Sequence, residues 1–196
     1  MKKVIVCMLA AVIFAFCTTA VWAATFQTVN VNATVPVMAG GVTVSISKVP
    51  VVGGVDGTWI LNQSSISFGT LIFDTVNHIF LPDNYYAVDV GVTDNSTPNW
   101  AVTHTRASLG ALDSKVNVSF VKQTSATAFT PLQKVSFGNS QGVSYTKAQL
   151  AGGWLRIYYG IGTGSLIKPD ATDVTPIGMD TPAGTYTGSV KITLTP

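Results

Sequence analysis

Residues Thr28 to Val37 read T-V-N-V-N-A-T-V-P-V, so that Val29, Val31, Ala33, Val35 and Val37 alternate with Thr28, Asn30, Asn32, Thr34 and Pro36. Successive side chains of an extended chain point to opposite faces, and the stretch therefore predicts a β-strand with one apolar and one polar face. Burying its valines and alanine is worth on the order of 8 kcal/mol, before the cost of ordering the segment is subtracted. Two destinations are open to that face. Returned to its own domain, the segment is an ordinary sandwich strand; placed in the groove of a neighbouring subunit, it is the link of a fibre.

Upstream, Lys2 and Lys3 precede an apolar run from Val4 to Phe16, and Val21-Trp22-Ala23 ends in a small residue. This is the pattern of an export signal over residues 1–23, cleaved after Ala23. The alternative is an uncleaved anchor, because only Thr18 and Thr19 interrupt the run from Val4 to Trp22. Cleavage leaves 173 of the 196 residues, with nine Lys or Arg against nine Asp. A neutral chain offers no basic patch for nucleic acid or acidic lipid. Cys7 and Cys17 both fall within the signal, so the exported chain has no disulfide and depends on its core. The absence of Glu and the abundance of Val, Thr, Ser and Gly favour strands and turns over helices.

Downstream, short alternating runs follow one another between turn signals. Gly40-Gly41 permits a change of direction, after which Val42, Val44 and Ile46 share a face. Ile66 to Phe73 reads as a strand with a bulge or close backbone approach at Gly69. Further faces are formed by Tyr86, Val88, Val90 and Val92, by Trp100 and Val102, and by Val116, Val118 and Phe120. Leu155, Ile157, Tyr159 and Ile161 form another, and Tyr186, Val190, Ile192 and Leu194 the last. Tyr145 to Leu150 is the one stretch that suggests a helical turn, and Pro169 to Pro182 reads as a loop. The expectation is an all-β sandwich of seven to nine strands over residues 40–196, preceded by an N-terminal strand segment at 24–39.

Three stretches in this order, V-N-V-N-A-T-V-P-V at Val29 to Val37, S-F-G-T-L at Ser67 to Leu71 and P-A-G-T-Y-T-G-S-V-K-I-T-L-T at Pro182 to Thr195, resemble pilin-type secreted β-sandwiches. The likeness is to the spore coat protein U-like group and to cysteine-free fimbrial subunits of the colonisation-factor type. It implies an immunoglobulin-like fold lacking a strand, which a periplasmic chaperone and then the N-terminal segment of the next subunit supply, with an outer-membrane usher guiding assembly. On that likeness Val29, Val31, Ala33, Val35 and Val37 are the donated side chains. Tyr186, Val190, Ile192 and Leu194 line the acceptor groove. The physical basis is strand addition: backbone hydrogen bonds supply strength, and alternate side chains set the register. The chain departs from many usher-assembled pilins in having no cysteine after residue 23 and in having Thr195, not an aromatic residue, next to last.

Nothing in the sequence assembles into a recognisable catalytic or cofactor site. His78 and His104 have no Cys or Glu partners at ligand spacing, and His104, in a Thr-rich strand segment, reads as a surface residue. Most aspartates sit beside turn-forming residues. Gly160-Ile161-Gly162-Thr163-Gly164-Ser165 suggests a phosphate cradle but lacks the Lys and the following helix. Asp170, Asp173 and Asp180 leave calcium open without matching EF-hand spacing. Trp59, Trp100, Trp154, Tyr85 and Tyr158 are either core residues or an aromatic platform for sugar. The expected function is therefore a non-enzymatic, cofactor-free subunit of an extracellular fibre, pilus or coat, polymerising with copies of itself. The alternative is a monomeric secreted adhesin or carbohydrate-binding module.

Overall fold

The computed structural model describes residues 28–33, 41–93 and 96–196, so the expected signal at 1–23 lies outside the described residues. The chain is all-β. Its strands are β1 (Thr28–Ala33), β2 (Val42–Val52), β3 (Val55–Asp56), β4 (Ile66–Thr70), β5 (Ile72–Asp74), β6 (Ile79–Leu81) and β7 (Asn84–Val92). They continue as β8 (Ala101–Ala107), β9 (Val116–Gln123), β10 (Phe129–Ser136), β11 (Val143–Thr146), β12 (Trp154–Ile161) and β13 (Thr185–Thr195). Among the described residues no helix is long and apolar enough to cross a membrane.

The strands form a five-stranded sheet in the order β11-β8-β13-β1-β4, a six-stranded sheet in the order β10-β9-β12-β7-β2-β3, and a separate β5-β6 hairpin. Among the described residues thirteen strand segments replace the expected seven to nine, because several are only two to four residues long and because β10 has no clean alternation. Val102, Val190, Ile192, Ile66 and Phe68 of the first sheet meet Val88, Val90, Val118, Phe120, Leu155 and Ile157 of the second in one core. The rings of Phe68 and Tyr86 meet edge to face at 5.6 Å, and the Tyr86 hydroxyl donates to the Ser67 carbonyl at 2.8 Å. Those contacts fasten β4 to β7 across the layers.

Most alternations form the strands expected of them, with period-2 burial deciding which face turns inward. Gly69 takes φ +65°, and the β1–β4 register shifts there, passing from Val29↔Gly69 to Asn30↔Ser67. The bulge read from the sequence is thus present, although the strand stops at Thr70 and resumes as β5. The helical turn expected from Tyr145 to Leu150 is present over its second part: Tyr145 belongs to β11, but the Leu150 N–H donates to the Thr146 carbonyl at 3.2 Å, and residues 147–152 form turns. Tyr145 is buried in the core, so its packing against the Phe120 ring at 5.7 Å holds it in the sheet.

Candidate functional site

Two places in the fold are candidates for a functional site. The first is the slot occupied by Thr28–Ala33. This strand lies inside the five-stranded sheet, one in from its β4 edge, parallel to β13 on one side and antiparallel to β4 on the other. Val29, Val31 and Ala33 stand opposite Tyr186, Gly188 and Val190 of β13. Val35 and Val37, expected in the same strand, lie outside the described residues. Of the expected groove residues, Val190 and Ile192 are buried in the core, while Tyr186 and Leu194 are half-buried against it. Tyr186 and Val190 flank β1 directly, whereas Ile192 and Leu194 lie further along β13, opposite His104 and Val102 of β8. Sequence reasoning missed Gly188, whose missing side chain leaves room for Leu109: a Cβ there would lie 2.7 Å from Leu109 Cδ2.

The second place is the outer face of the six-stranded sheet. Alternation along β12 sends Leu155, Ile157 and Tyr159 into the core and puts Trp154, Arg156 and Tyr158 on the opposite face, where Arg156 is buried among its neighbours and the two aromatics are half-buried. Arg156 donates to both carboxylate oxygens of Asp89, through Nε at 2.6 Å and a terminal nitrogen at 2.7 Å. Trp154 Nε1 donates to the same carboxylate at 3.1 Å. The Arg156 guanidinium lies 4.9 Å from the Trp59 ring and 6.0 Å from that of Tyr158. Hydrogen bonding to Asp89 holds Arg156 charged, against the opposing effect of burial. Tyr158 in turn meets Tyr85 at 5.9 Å, and Lys168 Nζ lies 5.5 Å from the Tyr85 ring. Burial and the neighbouring Asp56 carboxylate raise the Tyr85 phenol and keep it protonated.

The fold therefore brings four of the five candidate platform aromatics together. Trp100 stands apart, buried in the core. A cavity of about 620 Å³ opens beside Tyr85 and Tyr158, bounded by β10 and by the loop at 163–170. Phe129 and Pro131 of β10 line it, together with Lys134.

The glycine-rich run at 160–165 already holds an anion of its own. The Asp170 carboxylate accepts from the backbone N–H groups of Thr163, Gly164 and Ser165 at 2.8, 2.8 and 3.3 Å. Asp173 is similarly engaged by the Ser136 N–H at 2.9 Å and by Asn139 Nδ2 at 2.7 Å. Burial pushes the Asp173 carboxyl up, but these hydrogen bonds outweigh it and hold the group below its usual range. Among the described residues no three or more His, Cys, Asp or Glu are placed to hold a metal ion.

His104 is a correction: only 1% exposed, it lies in the core. Its Nδ1 donates to the Ser140 carbonyl at 2.9 Å, and its Nε2 accepts from the Tyr159 hydroxyl at 2.8 Å. A carbonyl can only accept, so the tautomer is fixed and both ring nitrogens are satisfied. Compared with known proteins, the chain matches no family model, no curated protein and no solved structure.

Proposed function

We propose that the protein is a non-enzymatic subunit of an extracellular fibre, pilus or coat, with an immunoglobulin-like, pilin-type sandwich whose β1 slot is filled by strand exchange between copies. The observation that supports this reading is the pairing of Thr28–Ala33 on both sides, by β13 and by β4. Withdrawing that strand creates two unpaired edges inside one sheet, so the fold needs a strand there. Backbone register specifies the strand and not the copy that supplies it. An identical Thr28–Ala33 from a neighbour makes the same ladder, and exchange of an identical element is a low-cost route to assembly. Exported chains would need a chaperone strand in the slot until a neighbour arrives.

The rival is a monomer that keeps β1 in its own slot, as it is seated here. A cysteine pair at Asn30 and Thr187, register partners of β1 and β13, separates the two. Neighbouring strands lie about 4.8 Å apart, within disulfide reach, and no other cysteine follows residue 23. Surface material is collected from cells and oxidised afterwards. Exchange gives a ladder of disulfide-linked oligomers on a non-reducing gel; monomers with only an internal bond would overturn the fibre reading.

A further inference from the structure

We infer that the cavity on the outer face of the six-stranded sheet is a binding site for a neutral saccharide, independently of whether β1 is exchanged. Its floor comes from alternate residues of three strands, Tyr85 of β7, Ser119 of β9 and Tyr158 of β12, and its outer wall from Phe129 and Pro131 of β10. The β10–β9 register shifts between Pro131 and Gln133, passing over Leu132. Pro131 pairs with Val121 and Lys134 with Ser119, so that shift keeps both on the outward face. The volume, about 620 Å³, is that of a small-molecule site.

The walls are held before any ligand arrives. Asn117 Oδ1 accepts from the Ala171 N–H at 2.9 Å, and Lys134 Nζ donates to the Pro169 carbonyl at 2.7 Å. Asp170 closes the loop on its own backbone. Such a site loses little freedom on binding.

The charges select the class of ligand. Lys168 is paired with Asp56 at 2.9 Å, Lys134 is engaged by a carbonyl, and Asp170 by N–H groups. Lysines and aspartates lining the cavity are equal in number, two of each, so it has no net charge for an ion to answer. An ionic ligand would have to displace an existing partner, whereas an uncharged one leaves every pair intact. Tyrosine rings beside hydroxyl and amide groups suit a ligand with C–H faces and hydroxyl edges, which is the chemistry of a sugar ring. Phe129 is 58% exposed at the rim, where an apolar ring has no structural reason to be and a stacking ligand would cover it.

The test is binding of the signal-free protein to immobilised neutral, sialylated and sulfated oligosaccharides, with thermal melting as a folding control. Expected is retention of one or more neutral glycans, with affinity lowered about tenfold or more by Tyr158→Ala and by Phe129→Ala. Phe129 is exposed, so its variant keeps the melting temperature and remains informative if Tyr158→Ala does not fold. Binding should be unchanged between about 0.05 and 0.5 M NaCl. Retention of no neutral glycan, retention of charged glycans alone, loss of binding in salt, or indifference to Phe129→Ala would each overturn the assignment. None of these results bears on the disulfide ladder.

Discussion

Tyr159 donates its hydroxyl to His104 Nε2 at 2.8 Å, joining β12 to β8 through the middle of the core. Burial, assisted by the positive charge of Arg106, pushes the imidazole down from 6.5 to about 4, against the hydrogen bond to Ser140. The folded protein thus holds His104 neutral while the unfolded chain protonates it near 6.5. Stability from this residue is complete above that value and declines as pH falls from about 6.5 to about 4, below which both states are protonated. The loss is on the order of 3 kcal/mol. Urea unfolding at a series of pH values should show that slope in the native chain. It should be largely absent in His104→Gln, which starts from a lower stability.

Removing only the donor is a separate test of the same contact. In Tyr159→Phe the ring still fills the core, but His104 Nε2 is left as a buried acceptor without a partner. The expected cost is about 1–3 kcal/mol by denaturant unfolding at pH 8, where His104 is neutral in both states. A change below about 0.5 kcal/mol would mean that the hydroxyl contributes nothing beyond its ring.

On the outer face, the Asp89 carboxylate is shared by Arg156 and Trp154. Asp89→Ala therefore strands a guanidinium whose side chain is only 11% exposed. Partial burial places the cost at about 1–3 kcal/mol, below that of a fully buried pair. Adding Arg156→Met removes the stranded charge while keeping a side chain over Trp59. The double variant should be more stable than Asp89→Ala alone, and tryptophan emission should shift in both because Trp154 loses its acceptor. A double variant less stable than the single would contradict a penalty from unpaired charge.

Where alternation is strict and one face is buried, the sequence is a faithful guide. Tyr86, Val88 and Val90 occupy the inward face of β7, as their spacing requires. The same rule held a clue for His104, two residues after Val102 and hence on the same inward face. Its polarity argued for the surface, and only the partners Ser140 and Tyr159, distant in sequence, make burial possible. β10 escaped notice because Pro131 and the register shift at Leu132 break the period, and its edge position leaves most of the strand exposed. The outer aromatic face was one of two readings open to its residues, and nothing local separated Trp100, which is buried in the core, from the rest. Trp59, Tyr85, Trp154 and Tyr158 come from distant segments, and cross-strand register, which no local pattern encodes, brings them together.

The slot itself makes a demand at Gly188, opposite Val31 of β1. A Cβ at this position would lie 2.7 and 2.9 Å from Leu109 Cδ2 and Cγ and 3.3 Å from the Ala107 carbonyl. Leu109 is buried and cannot simply swing away. Gly188→Ala should therefore cost about 1–3 kcal/mol through overpacking. Thr187→Ala, at the adjacent exposed position, should fall within about 0.5 kcal/mol of the native chain. Leu109→Ala alone opens a cavity at a cost of about 2–5 kcal/mol, but combined with Gly188→Ala it also relieves the clash. The two changes together should cost less than the sum of their separate effects, by about 1 kcal/mol or more in a double-mutant cycle. Simple additivity would mean that the β13 backbone shifts to admit the methyl group. Gly188 would then not set how closely the slot fits its strand.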